Sequence, residues 1–466
     1  MSIKIALPKG RLLAETASRL QLADLGLAGY RPKTRFYRLT SQRYPDLFAK
    51  IFHEKDIPIQ VAVGNYDLGI CGLDWVEELL AKYPSSALVK ISDLGYGEGR
   101  LYMMTSRAGG APGLKDAPAK MNTIRIASEY PNLAEAFALS NRLRRFSIFP
   151  LWGGAEVYPP ENAEMALVSR RKGESLNNDL VPLSDIMGFS VYLIANQASW
   201  EQKDLSEITS AIERAVLPPL EEEMPPVESA GTPAPYPAGD TVRLALPDGH
   251  QQPPTRQLLD KAGIQVDDYP SASGNRRPTT SLDGVSIKVI RPQDMPLQVA
   301  NGNFDLAITG RDWLREHLYQ FPSSPAVELL DLKSGRVKIV AVVSQDLPVN
   351  DSRDLRQLSN GGESGLRVAS EYVNIADKYA RDNHLGRYRV VPTWGASEAF
   401  LPEDADLLIE NTETGQTLAR HKLKIIDNLF ESTACLIGRK DGASSKKGEK
   451  IKSIMEMLRD AVEEFK

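Results

Sequence analysis

Two kinds of loop in this sequence combine glycine with groups that hold anions. The first reads Leu7-Pro8-Lys9-Gly10-Arg11-Leu12. Gly10 lets the backbone approach an anion, a following helix would offer free N–H groups, and Lys9 and Arg11 add positive charge. The same residues would also make an ordinary solvated turn. The second runs Glu410-Asn411-Thr412-Glu413-Thr414-Gly415-Gln416-Thr417-Leu418. Amides around Gly415, with the Thr414 and Thr417 hydroxyls, could cradle one phosphate, and an upstream carboxylate could hold sugar hydroxyls. Thr and Gln also cap helices, so a plain helix start remains open here. Arg291, directly before Pro292, is a third cation placed at a strand end. The five histidines show no metal-ligand spacing, and no protein metal site is expected.

These loops need strands to carry them. IKIALP from Ile3 and VRLALP from Val242 have the continuous apolar pattern of buried strands. DLGIC and DLAIT are short apolar strands, each followed by a helix opening at Asp-Trp. IRIAS and LRVAS are later strands, again followed by helical patterns. KIFHEKDIP and its partner SIKVIRPQDMP read as one further strand in each half. Strands alternating with helices predict an α/β fold with a parallel sheet, and ligands in such folds bind beyond the carboxyl ends of strands. A unit of this size divides into two lobes with a cleft between them. Amphipathic helices are expected at LSEITSAIERAV and at IKSIMEMLRDAVEEF. Trp75 and Trp313, in the matched Asp-Trp starts, read as core residues rather than base-stacking ones.

The pattern occurs twice. DIPIQVAVGNYDLGICGLDW from Asp56 and DMPLQVANGNFDLAITGRDW from Asp294 agree at 13 of 20 positions, where average composition would give about one. The offset of 238 residues holds through Asp93 and Asp331, then becomes 242 from Arg125 and Arg367 through Trp152 and Trp394. A constant register over this span means tandem duplication. The reading is copy one at residues 1–220, a linker at 221–240 and copy two at 241–466. The linker, rich in proline and acid, cannot build a core.

Composition narrows the function. The formal net charge is −5, from 56 basic and 61 acidic residues, which argues against nucleic-acid binding. Two cysteines, Cys71 and Cys435, cannot form a disulfide framework or a thiolate zinc site. No apolar run approaches the roughly 18 residues of a membrane span, and the polar start MSIKIALPKGRLL does not read as a signal peptide. A cytoplasmic protein without membrane or nucleic-acid partners is expected.

The ordered series LPKGRL, DIP…DLGICGLDW, DLGYGEGRL, RIASEYPN, WGGAE and an acidic–x–x–Glu-Thr-Gly-x-Thr-Leu loop resembles ATP phosphoribosyltransferase. The resemblance covers nearly all of both copies, each looking like the short form of that family. It implies two tandem modules related to the type 2 periplasmic binding proteins. It also implies ATP and phosphoribosyl pyrophosphate as substrates, Mg2+ on the pyrophosphate, and a separate regulatory subunit similar to histidyl-tRNA synthetase. By the family's pattern, Lys9, Gly10 and Arg11 lie on the nucleotide and pyrophosphate side. Thr412, Glu413, Thr414, Gly415, Gln416 and Thr417 grip the 5-phosphate, and Glu410 lies near the ribose. Family members pair as dimers with arginines crossing between subunits; Arg291 and Arg276 or Arg277 match those, which implies an internal pseudo-dimer with Arg291 facing copy one's cleft. Glu156 and Glu398, in the two Trp-Gly-x-x-Glu motifs, would contact ribose or metal-bound water, or serve as structural hydrogen bonds.

The copies depart from the pattern in complementary ways. Copy one keeps Lys9-Gly10-Arg11, but its phosphate loop retains only Gly173 and Ser175, with Lys172 for threonine and Val168 at the acid position. His53 stands opposite Arg291. Copy two keeps the phosphate loop, but Asp248 replaces the lysine and His250 the arginine. Copy one is the preferred catalytic copy, with Lys9, Arg11 and Arg291 taking the leaving-group charge; the reverse assignment stays open. So does a catalytically inactive regulatory homologue that binds phosphoribosyl compounds. A solute-binding protein of the related fold is the least favoured reading.

Overall fold

The structure is a computed structural model. It describes residues 2–107 apart from 33 and 35, and residues 123–174, 179–215, 240–361, 365–440 and 445–463. The linker at 221–239 and Ser175 lie outside these residues.

Copy one opens with β1 (Ile3–Pro8), whose Ile5, Ala6 and Leu7 are fully buried, as an apolar run sandwiched on both faces must be. β2 (Arg38–Thr40), β3 (Leu47–Phe52), β4 (Leu68–Gly72) and β5 (Leu88–Asp93) follow. The chain then enters a second sheet of β6 (Gly99–Ser106), β7 (Ile124–Ser128), β8 (Phe146–Pro150), β9 (Met165–Arg171) and β10 (Leu180–Phe189). It returns to the first as β11 (Val191–Asn196). The sheet orders are β2-β3-β1-β4-β11-β5 and β10-β6-β9-β7-β8. Each sheet has its own apolar cluster, one around Leu7, Ile51 and Ile70 and the other around Met103, Ile126 and Leu167. These are the two lobes, joined where β5 leads to β6 and where Ser190 separates β10 from β11.

Copy two repeats this plan. One sheet holds β12 (Val242–Pro247), β15 (Val285–Ile290), β16 (Leu306–Gly310), β17 (Ala326–Asp331) and β23 (Ala434–Arg439), in the order β15-β12-β16-β23-β17. The other holds β18 (Val337–Ser344), β19 (Leu366–Ser370), β20 (Tyr388–Pro392), β21 (Leu407–Thr412) and β22 (Leu423–Ser432), in the order β20-β19-β21-β18-β22. A small ribbon of β13 (Val266–Asp267) and β14 (Thr279–Thr280) is added.

The expected parallel sheet is in fact mixed. β1 runs parallel to β3 and β4, but β11 is antiparallel to β4 and β5, and β6 is antiparallel to β9 and β10. A chain that crosses between lobes twice must bring a strand back in the opposite direction. The strand read through KIFHEKDIP ends at Phe52, and Asp56–Ala62 is helix, with Asp56 in its first turn, where an acid suits the helix N-terminus. The helices at Leu73–Lys82 and Arg311–Gln320 do open at Asp-Trp, and both amphipathic helices form, at Ser206–Arg214 and Ser445–Glu463. No helix among the described residues is long and apolar enough to cross a membrane, and both cysteines are free and buried.

The chain forms two compact units that follow the copies except at two segments. Leu151–Asn162, from copy one, belongs to the second unit, and Thr393–Phe400, from copy two, belongs to the first. Within the second unit, Lys288 fixes the first of these segments: its ammonium donates to Glu161 (2.7 Å), to Asn162 Oδ1 (2.7 Å) and to the Val157 carbonyl (2.9 Å). Arg277 adds a hydrogen bond to Glu161 at 2.9 Å. Within the first unit, Phe400 packs edge-on against Phe52 with ring centroids 5.3 Å apart.

Candidate active site

In copy two, the loops after β12, β15 and β16 and those of the second lobe around β21 open into one cleft. Asp248, His250, Arg291, Asp312, Trp313, Tyr372, Asn411 and Glu413 are among its lining residues. Gly249 takes φ 77°, a left-handed conformation that glycine adopts without strain, and this turns the chain from β12 into the next helix. Asp248 then faces two cations, Arg276 Nη1 at 3.0 Å and Arg291 Nη1 at 3.4 Å, and accepts the Gly249 N–H at 2.7 Å. Burial alone would raise the Asp248 pKa; the charges of Arg276 and Arg291 overcome it and hold the carboxyl below its ordinary value.

Arg276 and Arg291 also meet the copy-one segment in this unit. Glu156 Oε1 lies 3.2 Å from Arg276 Nε, so this glutamate is ion-paired. A Cβ on Gly153 would come within 2.9 Å of Arg291 Nε, and one on Gly154 within 3.3 Å of the Arg276 guanidinium. The glycine pair thus leaves room for two arginines. Trp152 donates its N–H to Asp294 (3.2 Å) and its ring meets Trp313 edge-on at 5.7 Å. Asp248, Arg276, Arg291 and Glu156 together form a chain of two acids and two bases.

The phosphate-type loop after β21 has a defined shape. Gly415 takes φ 73°, its N–H donates to Thr412 Oγ1 at 2.9 Å, and a short helix Gln416–Arg420 follows. Glu413, Thr414, Gln416 and Thr417 are exposed, and Glu410 is half-buried. Asn411 donates to the Tyr372 hydroxyl at 2.9 Å, and that hydroxyl donates to Asp312 at 2.6 Å. The Tyr372 ring lies 4.4 Å from Trp313.

Copy one has the same scaffold and different charges. Lys9 donates from Nζ to the Tyr37 hydroxyl at 2.8 Å. Gly10 takes φ 83° with nothing within 4 Å of where a Cβ would stand, so its backbone is open to approach. Arg11 is held by both oxygens of Glu54, at 2.9 and 2.7 Å. Burial pushes the Glu54 carboxyl up to about 7, against the pull of Arg11. Arg171, at the end of β9, has Nη2 3.8 Å from Glu54. Lys172 Nζ lies 3.8 Å from Glu98, and Gly173 takes φ 84°. Asp74 is fully buried and accepts from the Tyr130 hydroxyl at 2.8 Å.

The structure thus brings Arg276, Arg291 and Glu156 together in the second unit, and sets Lys9, Gly10, Arg11, Lys172 and Gly173 in the first. Glu398 is half-buried in the first unit. Trp75 and Trp313 are each 8% exposed, and Trp75 stacks on Tyr130 at 4.3 Å. Both are core residues as expected, although Trp313 also lines the cleft. Sequence reasoning missed Glu54 and the Asp–Tyr pairs, Asp74 with Tyr130 and Asp312 with Tyr372. The signal for the pairs was present in the matched Asp-Trp and Ser-Glu-Tyr motifs.

The HisG family model, described as ATP phosphoribosyltransferase, matches residues 53–214 and 291–460. An ATP phosphoribosyltransferase of Chlorobaculum parvum is 32% identical over 231 residues, covering 48% of this chain and 73% of that protein. One of Saccharolobus solfataricus is 34% identical over 232 residues, covering 47% and 72%. Among solved structures, a chain of the ATP phosphoribosyl transferase (HisG:HisZ) complex from Thermotoga maritima aligns at 21% identity with a TM-score of 0.40, covering 48% of this chain and 100% of that one. The family's model is matched twice along the sequence, once per copy, and this chain belongs to the ATP phosphoribosyltransferase family.

Proposed function

We propose that this protein transfers the phosphoribosyl group of phosphoribosyl pyrophosphate to N1 of ATP and releases pyrophosphate, the first step of histidine biosynthesis. The observation that carries the reading is the position of the anion-type loops. In a chain of this family, Lys9-Gly10-Arg11 follows the carboxyl end of β1, and Glu410–Thr417 starts in the last residues of β21 and runs on past its carboxyl end.

The N1–C1 bond forms as the C1–O bond to pyrophosphate breaks. Adenine N1 already carries its lone pair, so no strong base is needed; the task is to hold two polyanions in line and stabilise the leaving charge. In copy one, Lys9 is bonded to a neutral hydroxyl and so keeps its charge for pyrophosphate, and Gly10 offers backbone beside it. Lys172 and Gly173, with Ser175, take a phosphate there. In copy two, Glu410 holds ribose hydroxyls, and Thr412 fixes the loop from which Glu413, Thr414, Gly415, Gln416 and Thr417 receive the 5-phosphate. Arg291, with Arg276, adds positive charge in the second unit, and Glu156 and Glu398 contact ribose or metal-bound water. Copy one is catalytic because Asp248 occupies both cations of copy two.

Mg2+ would screen the pyrophosphate charge. No three His, Cys, Asp or Glu side chains cluster as a cage among the described residues, while Glu371 and Glu413 line the copy-two cleft. Substrate oxygens and water would therefore hold the ion, with such carboxylates binding its water. We further propose an internal pseudo-dimer, supported by the exchanged segments, a cytoplasmic location, and a separate regulatory subunit similar to histidyl-tRNA synthetase.

A second reading, a phosphoribosyl-binding homologue without turnover, is favoured by one observation: an acid sits on an arginine in each copy, Glu54 on Arg11 and Asp248 on Arg276 and Arg291. Phosphoribosyl-ATP absorbance separates the two, followed with ATP, phosphoribosyl pyrophosphate and Mg2+, with and without the regulatory subunit. Turnover that Lys9→Ala abolishes and Asp248→Ala preserves supports copy one. Loss with Glu410→Ala alone reverses the copies, and absence of turnover under both conditions leaves the binding reading.

A further inference from the structure

The two clefts can be compared at four matched places, of which three differ and the fourth is aspartate in both copies. In copy two these are His250, Pro292, Asp312 and Glu413, all lining the cleft. The register of the duplication puts Arg11, Glu54, Asp74 and Arg171 there in copy one. The four side chains touch in sequence. Glu54 takes both Arg11 hydrogen bonds, Arg11 Nη2 lies 3.9 Å from Asp74, and Arg171 Nη2 lies 3.8 Å from Glu54 Oε2. Arg11 and Glu54 come from the lobe of β1 and β3, whereas Arg171 ends β9 in the other lobe. A single carboxylate therefore stands between cations from opposite lobes.

The Arg171 guanidinium lies over the Phe189 ring at 5.5 Å, but its hydrogen-bonding capacity is not used up. Its side chain is 11% exposed, and its Nε and Nη2 are buried without a hydrogen bond. At 3.8 Å Glu54 supplies opposite charge but no hydrogen bond. Buried donors left unmade are costly, and a guanidinium fork with two free N–H groups matches two oxygens of one phosphoryl group. The residue at this place in copy two is Glu413, which has no such fork of donors.

We infer that copy one's cleft binds one phosphoryl group of a diphosphate between Arg11 and Arg171, and that Glu54 is a built-in competitor that sets the affinity. Glu54 holds the position until an anion of higher charge displaces it from both arginines. The inference deepens the proposed transferase reading by naming the residues that select the anion, and it rests on copy one's cleft being an anion site.

Calorimetric titration of inorganic pyrophosphate into the full-length protein tests it. Glu54→Gln should tighten binding at least tenfold and Arg171→Ala weaken it at least tenfold. Arg171→Lys, which keeps charge and fold but loses the fork, should fall between. Glu54→Gln binding no tighter than wild type, or both Arg171 variants binding as wild type does, overturns the inference. Turnover of the same variants separates the two readings. Binding shifts without turnover in any protein sink the transferase reading alone, and turnover with no binding shift sinks this one alone.

Discussion

Asp248 Oδ2 sits 3.0 Å from Arg276 Nη1, at the place where copy one carries Lys9. Where copy one has a cation, copy two thus has the counterion of two arginines, since Arg291 lies 3.4 Å from the same oxygen. Asp248→Asn should release Arg276 and Arg291 and tighten phosphoribosyl pyrophosphate binding by about tenfold, the scale of one charge-assisted contact of about 1.4 kcal/mol. Titration calorimetry on wild type and variant reads this directly; equal affinities would mean that Asp248 does not hold the two arginines back from the ligand.

The same aspartate should contribute acid sensitivity. Its folded pKa is lowered from 3.8, so its stabilisation is complete above that value and is lost as pH falls below it through the folded pKa. Thermal melts of wild type and Asp248→Asn between pH 2 and 7 should converge at the acid end. Curves that stay parallel throughout would remove the ion pairs from the account.

Glu54 has the opposite sign. Its folded pKa of about 7 stands above the ordinary 4.5, so its contribution is full below 4.5 and is lost as pH rises through 7. Relative to wild type, Glu54→Gln should gain stability between these values and plateau above. A difference independent of pH would show that the Glu54 carboxyl titrates normally.

The segment Leu151–Asn162 depends on Glu161, which serves both Lys288 and Arg277. Glu161→Ala removes the carboxylate that holds Arg277 and the 5% exposed Lys288, whose ammonium burial pushes down to about 7 even with Glu161 present. Breaking a buried pair this way costs about 3–5 kcal/mol. Denaturant unfolding should show that loss in the transition of the second unit; a loss below about 1 kcal/mol would mean that the segment is held by its apolar contacts.

Much of this architecture was legible because its signals are local. IKIALP, DLGIC and IRIAS are apolar runs that can only be buried strands, and Gly10 and Gly415 mark the turns that follow β1 and β21. The antiparallel return of β11 was not, because VYLIAN has the same composition whichever way it runs. Nor was the exchange of Leu151–Asn162, whose anchor Lys288 lies more than a hundred residues away and carries no apolar pattern. Glu54 was hidden for a related reason: a buried acid beside the helix Asp56–Ala62 looks in sequence like a solvated turn residue. Only the folded register of β3 and β9 sets it between Arg11 and Arg171.

The most direct measurement is product detection by mass spectrometry and phosphorus NMR after incubating the protein with ATP, phosphoribosyl pyrophosphate, Mg2+ and a regulatory subunit. An adduct of ATP and the phosphoribosyl group, formed one-for-one with pyrophosphate and absent with Lys9→Ala, is the predicted result. Recovery of both substrates unchanged, by a protein shown to be folded, would contradict the transfer reaction.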